Sequence, residues 1–395
     1  MTNPIELEEK YGAHNYHPLP VMLTRASGIY CWDINNKQYI DMMSAYSAIS
    51  HGHCHPKLVK KLTEQAQTLA VTSRAFYSNK LGEFLEKACE LTGLDRALPM
   101  NTGAEAVETA IKAARKWAYL IKKIPENQAE IIVCKDNFHG RTTTIISMST
   151  ESQYRKGFGP YTPGFKFVDY GDSEALEKAI TSNTAMFLVE PIQGESGIHI
   201  PPAGYLKKCA EICRKHNVLF FADEIQTGLG RTGKLLACDH ENIKPDGLML
   251  GKALGGGLLP VSLFLSRNDI MSVFTPGDHG STFGGNPLAA AVGLEALNLL
   301  TTEKLIENSQ KMGEYFIAQL RHISSSFIKD IRGKGLLIGI EIEKQKISAR
   351  EVCLKLLDAG ILSKETHETV IRLAPPLVIT QTQIDEAMEK IQSVF

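Results

Sequence analysis

The sequence predicts an α/β protein: a large domain with a mostly parallel central sheet flanked by helices, followed by a smaller α+β domain. Three observations predict this. Short apolar runs alternate with stretches of helical apolar spacing through the middle of the chain. Several of those runs lack polar alternation, as strands buried on both faces do. Beyond Gly284-Gly285-Asn286-Pro287 the alternation gives way to long helices and short strands.

Taken in order, 28–32 and 38–41 are strand material expected to join a sheet. Pro56 is placed to start a helix over 57–69. Residues 105–122 carry Val107, Ile111, Ala114, Ala118 and Ile121 at helical spacing. Strands are expected at 131–134, at 185–189 before Glu190-Pro191, at 218–222 before Asp223, at 248–250 before Gly251-Lys252, and at 261–265, with a helix over 205–216. The smaller domain should hold helices over 288–300, 303–320 and 349–359, and strands at 328–332, 336–343 and 370–373. No internal repeat or low-complexity segment is visible. These elements divide the chain into an N-terminal segment, 1–48, contributing to the small domain and the active site; a large domain, 49–286; and a C-terminal small α+β domain, 287–395.

At 395 residues, 43% hydrophobic and 22% charged, the chain is expected to be globular with a sizeable core. Its formal net charge of -1 argues against nucleic acid or a charged membrane surface as partner. No apolar run approaches a transmembrane length. Residues 1–9 are polar and acidic, without signal- or transit-peptide features, so the expected location is cytoplasmic. Eight cysteines do not make a disulfide framework in such a chain; most, as Cys89, Cys134 and Cys353, sit in apolar surroundings and are expected to be reduced and buried. Cys209 and Cys213 lie four apart on a helix but have no second ligand pair. His51-Gly52-His53-Cys54-His55 is more metal-like, yet too compact for one finger-type site. No metal is expected.

Gly228-Leu229-Gly230-Arg231-Thr232-Gly233 matches a dinucleotide fingerprint, and Gly228, Gly233 and Lys234 match a P-loop. Leu235 stands where that loop needs Ser or Thr, and no well-patterned helix follows. A turn-rich active-site loop is the better reading. Asp223 and Lys252 each close an apolar run, and strand ends are where α/β proteins gather ligands. A lysine can form a Schiff base with an aldehyde, and an aspartate can keep a pyridinium nitrogen protonated, which together suit pyridoxal phosphate (PLP). Two surface charges would be the plainer reading of that pair alone. Asn101-Thr102-Gly103-Ala104-Glu105-Ala106 opens a helix whose N–H groups could bind a phosphate, or Thr102 could simply cap it. Asn137-Phe138-His139-Gly140-Arg141 offers a stacking aromatic and a carboxylate-binding arginine, or a structural ring and a surface charge.

Thr102-Gly103-Ala104-Glu105, Phe138-His139-Gly140-Arg141, Glu190-Pro191-Ile192-Gln193-Gly194-Glu195, Asp223-Glu224-Ile225-Gln226-Thr227-Gly228 and Gly251-Lys252-Ala253 occur in this order. Together, over essentially the whole chain, they resemble the subgroup III aminotransferases, PLP enzymes of fold type I. Within that family the chain is most similar to the ornithine aminotransferase branch, through the stretch Tyr11-Gly12-Ala13-His14-Asn15-Tyr16-His17-Pro18-Leu19-Pro20. Ser44-Ala45-Tyr46-Ser47-Ala48, Thr72-Ser73-Arg74-Ala75-Phe76-Tyr77 and Arg372-Leu373-Ala374-Pro375-Pro376-Leu377 support it.

The resemblance implies ping-pong transfer of the δ-amino group of L-ornithine to 2-oxoglutarate, giving glutamate 5-semialdehyde and glutamate. It implies that Lys252 carries PLP and moves the proton, and that Asp223 holds the ring nitrogen. Gln226 would meet the phenolic oxygen, Phe138 would stack on the ring, and Gly103 and Ala104 would bind the phosphate. Ser281 and Thr282 match a pair that reaches the neighbouring subunit's phosphate, which implies a homodimer with shared active sites. Tyr16, Tyr46 and Arg141 are implied to contact ornithine, Arg372 the second carboxylate, and Glu195 to pair with Arg372. His139 stands where some relatives carry tryptophan, which puts the pocket wall there in question. The competing expectations are an acetylornithine or 4-aminobutyrate aminotransferase of the same fold, and a non-catalytic PLP-binding regulatory protein.

Overall fold

The structure is a computed structural model that describes residues 4–395; positions 1–3 of the polar N-terminal stretch lie outside the described residues. Strands β1 (Leu23–Ser27), β2 (Tyr30–Asp33) and β3 (Gln38–Asp41) open a small sheet. The central sheet takes β4 (Arg96–Met100), β5 (Glu130–Cys134), β6 (Phe165–Val168), β7 (Thr184–Val189), β8 (Leu219–Asp223), β9 (Gly247–Leu250) and β10 (Ser262–Ser266). Its order is β4-β10-β9-β8-β7-β5-β6. Pairs from β6 through β9 are parallel, while β10 runs antiparallel to both β9 and β4. Every residue of β7, β8 and β9 is buried, the physical reason their sequences are continuous apolar runs.

The edge strands β4 and β6 were not visible in the sequence pattern. β4 carries Pro99, which only an edge or bulge tolerates, and β6 is mostly half-buried with Lys166 in its middle. The strand expected over 28–32 is a turn plus a strand. Gly28 takes φ +59 and, with Ile29, forms a two-residue turn that sets Ser27 opposite Tyr30. β3 pairs with β2 on one side and, in parallel, with β13 (Ile361–Leu362) on the other, so N- and C-terminal residues share this sheet. A third sheet, β11 (Ile328–Lys334), β12 (Leu337–Ile342), β15 (Val370–Leu373) and β14 (Lys364–Thr366), delivers Arg372.

The helix Pro287–Thr302 begins as its sequence demands. Asn286 Oδ1 accepts from Ala289 N–H at 2.8 Å and proline occupies the first turn. Its Val292, Ala296 and Leu299 pack on Leu58 of the helix Pro56–Thr68. The loop 228–233 is no active-site loop. Arg231 is wholly buried and donates to the carbonyls of Leu336 and Pro375 (3.0 and 2.6 Å) and to Ser50 Oγ (3.1 Å). A side chain at Gly233 would come within 2.9 Å of Gln310. The loop is therefore a packed junction between three chain segments. Among the described residues, no helix is long and apolar enough to cross a membrane.

Candidate active site

β8 and β9 lie side by side with Asp223 in register with Met249, so Asp223 and Lys252 emerge at the same end of the sheet. Asp223 ends β8, and Lys252 opens a single tight turn with φ +44, a left-handed conformation that non-glycine residues adopt only under constraint. Both line a cavity of about 190 Å³, joined by Gly103, Ala104, Phe138, Glu195 and Gln226. Burial pulls the Lys252 amine below the ordinary lysine range. Glu195 and Asp223 oppose that shift, and Arg372 reinforces it. A buried amine so shifted is neutral more often, and the neutral form is the nucleophile.

Asp223 is held on both oxygens. Oδ1 accepts from Ile225 N–H at 3.1 Å, and Oδ2 lies 2.6 Å from His139 Nδ1. His139, a question about the pocket wall from sequence, is buried behind the carboxylate, and its Nε2 has no protein partner. Burial disfavours its charge, but the hydrogen bond and charge of Asp223 raise its pKa above the usual histidine value. Glu190, at the end of β7, is pushed up to about 7 by burial, against the opposing charge of His139. Its Oε2 accepts from Phe138 N–H at 2.9 Å, which fixes the aromatic's backbone. Glu190 carries the same signal as Asp223 and Lys252, a charge closing an apolar run, and sequence reasoning passed over it.

Behind Glu195, which lines the cavity, Arg372 is fully buried on β15 and donates to Glu195 Oε1 at 2.6 Å. Gln226 Nε2 donates to the same oxygen at 2.9 Å. Burial works against the Glu195 charge, but Arg372 holds its carboxyl below the ordinary value, so Glu195 is a carboxylate at neutral pH. Gly194 leaves room for the Gln226 amide, because a Cβ there would lie 1.6 Å from Gln226 Oε1 and displace it. The Tyr46 ring stands 4.9 Å from the Arg372 guanidinium. It is presented by four consecutive left-handed residues, Ser44 to Ser47, with φ of 49°, 45°, 60° and 74°. That conformation costs roughly 1–2 kcal/mol per non-glycine residue and is rarely adopted by more than one in a row.

The helix Gly103–Leu120 starts with a complete capping box between Thr102 and Glu105, so the capping reading holds. The first-turn N–H groups of Gly103 and Ala104 still have no intrahelical acceptor, and both residues line the cavity. Six residues singled out from sequence do not line it: Tyr46 and Arg372, which lie behind Glu195 and Gln226, and four more. Tyr16 is exposed. Arg141 is exposed and lies over the Tyr154 ring at 3.6 Å. Ser281 accepts from Asn101 Nδ2 at 2.9 Å, and Thr282 faces outward.

The Aminotransferase class-III family matches residues 11–395. The chain is 58% identical over 391 residues to an ornithine aminotransferase of Exiguobacterium sp., covering 99% of this chain and 97% of that one. It is similar, at TM-score 0.97 and 46% identity, to the ornithine aminotransferase of Toxoplasma gondii, over 99% of this chain and 93% of that one; a second structure of that protein has PLP at partial occupancy in its active site. It is also similar, at TM-score 0.90 and 51% identity, to an acetylornithine aminotransferase of Elizabethkingia anophelis, over 99% and 97% of the two chains.

Proposed function

The chain belongs to the class-III aminotransferases, PLP-dependent enzymes, and from that premise we propose that it transfers the δ-amino group of L-ornithine to 2-oxoglutarate. The observation that carries the reading is that Glu195, which lines the cavity with Lys252, is paired with the buried Arg372. Ornithine brings an amine with no carboxylate beside the reacting carbon, whereas glutamate brings one. A buried arginine that is neutralised, yet able to be freed, suits both. The likeness to an acetylornithine aminotransferase favours acetylornithine as the second reading. Rates with ornithine, N-acetylornithine and 4-aminobutyrate, with the cyclised semialdehyde trapped, decide between them. Turnover of acetylornithine well above ornithine would reject ornithine as the substrate.

The residues present fit PLP. The buried amine leans toward its neutral form, a carboxylate stands across the cavity, a helix start offers N–H groups, and His139 Nε2 and Gln226 Oε1 are buried without protein partners. When bound, PLP supplies an aldehyde for the amine and a ring that accepts carbanion charge. Lys252 takes a proton from the reacting substrate carbon and returns it. Asp223, its orientation held by His139, would keep a proton on the ring nitrogen. Phe138 would lie against the ring, Gln226 would meet the phenolic oxygen, and the Gly103 and Ala104 N–H groups would bind phosphate. Asp223→Asn should fold and bind PLP yet turn over at least ~10²-fold more slowly; single-turnover rates near wild type would remove Asp223 from the chemistry.

We assign Arg141 to the α-carboxylate of ornithine and Tyr16 to its α-amino group. Tyr16→Phe is then expected to raise KM for ornithine more than KM for 4-aminobutyrate, which has no α-amino group; equal effects on both amines would make Tyr16 scaffold. Ser281 and Thr282 serve the phosphate of a second copy in a homodimer. Exposed Phe76, Tyr77 and Phe283, the last beside Thr282, support an apolar contact of that kind, and light scattering on the holoenzyme tests it. Domain limits at 48 and 286 remain our division of the chain. A cytoplasmic location suits its eight free cysteines.

A further inference from the structure

We infer that Asp41 and His53 are positioning residues for the substrate pocket: together they hold the left-handed turn that sets Tyr46 over Arg372. The inference rests on the aminotransferase reading for its consequence, and on geometry alone for its cause.

The turn Ser44 to Ser47 contains no glycine or asparagine, so nothing in its own sequence favours positive φ. Its two serine hydroxyls are buried without partners, so they do not stabilise it either. Something outside must impose the conformation. Asp41 stands at the end of β3 with its backbone fixed from both sides: its N–H donates to Ile29 O at 2.8 Å, and it pairs with Leu362 of β13. Its Oδ1 accepts from Met43 N–H at 2.9 Å and Ser44 N–H at 2.8 Å, which starts the turn. Its Oδ2 lies 2.7 Å from His53 Nε2, which stops the carboxylate from rotating away. His53 is itself pinned by backbone exchange with Gly28, at 3.0 and 2.7 Å.

The far end of the turn is tied to the same frame. Ser50 Oγ donates to Ser47 O at 3.2 Å and accepts from Arg231. Ala374 N–H, two residues beyond Arg372, donates to Met42 O at 2.6 Å. Tyr46 and Arg372 are therefore held in mutual register by one set of bonds, in which the Asp41–His53 pair fixes the start of the turn. Donor atoms of Cys31, Asp41 and His53 lie within 4.8 Å of one another, a spacing a cation could also use. Against that, both Asp41 oxygens already accept hydrogen bonds from the protein.

Asp41→Ala in the holoenzyme should raise KM for 2-oxoglutarate about tenfold while kcat stays within about threefold and the absorbance of bound PLP is unchanged. Adding Ala45→Gly should restore most of the loss, because glycine takes positive φ without the steric cost. If Asp41→Ala does not fold, His53→Ala carries the test, with the same direction, a rise of about threefold, and the same rescue. A KM unchanged in the folded variants overturns the inference. So does a joint loss of kcat, PLP and substrate affinity that Ala45→Gly does not repair, or stoichiometric zinc in the purified protein. Failure of wild-type holoenzyme to turn over ornithine and 2-oxoglutarate would instead overturn the proposed function. In that case the crystal structure of His53→Ala still decides the inference: residues 44–47 should have left the left-handed region, and an unchanged turn overturns it.

Discussion

Lys252→Ala should still bind PLP and should lose at least ~10⁴-fold in turnover. Two functions leave with one side chain. The amine proposed to capture the cofactor's aldehyde is gone, and so is the base proposed to move the proton at the substrate carbon. Binding should survive because Gly103 and Ala104, proposed to hold the phosphate, and Phe138 and Asp223, proposed to hold the ring, still line the cavity. The substitution should also be tolerated structurally. Lys252 is held below its ordinary pKa by burial, so the folded protein loses a disfavoured charge. The measurement is a cofactor titration by fluorescence alongside single-turnover kinetics with ornithine. The absorbance of lysine-linked PLP should vanish while saturable binding remains. Turnover within tenfold of wild type would end the aminotransferase chemistry assigned to this cavity.

Lys252 and Asp223 were legible in the sequence for a simple physical reason. A strand buried on both faces is apolar throughout, so the first charge after it marks the sheet edge where ligands collect. Glu190 carried that mark too, but its role depends on His139 and Phe138, which approach it only through space. The same holds for the His139–Asp223 contact, whose partners lie on separate segments with no shared periodicity. The edge strands escaped because an edge buries little and so needs little pattern. The left-handed turn at Tyr46 escaped because local propensity argues against it, and bonds from Asp41 override that propensity. Gly228 to Gly233 misled in the other direction: its glycines satisfy close packing against Gln310 and Leu377, a demand that resembles a ligand loop when only spacing is visible.

Glu195→Ala and Arg372→Ala should damage opposite halves of the reaction. In the ornithine half, the reacting amine reaches the cavity with no carboxylate beside it, and an uncovered guanidinium would stand unpaired in a poorly solvated wall. Glu195 Oε1, 2.6 Å from Arg372, neutralises it. In the glutamate half, the substrate's own carboxylate needs that guanidinium, so Glu195 must release it. The carboxylate has the means to move: its side chain is 20% exposed where that of Arg372 is 1%. Its second restraint, the Gln226 amide at 2.9 Å, is a neutral donor. Arg372→Ala should therefore slow the glutamate and 2-oxoglutarate half-reaction by ~10²–10³-fold, the scale for truncating one partner of a buried, hydrogen-bonded charge pair. It should leave the ornithine half within about tenfold. Glu195→Ala should slow the ornithine half by ~10-fold or more, because the exposed cation repels the incoming amine, and should leave the glutamate half unchanged or faster. Stopped-flow measurement of each half-reaction, on the PLP form and on the aminated form, separates the two. Parallel losses in both halves for Glu195→Ala would mean a fixed ion pair that only braces β15, and the exchange of partners at Arg372 would have to be abandoned.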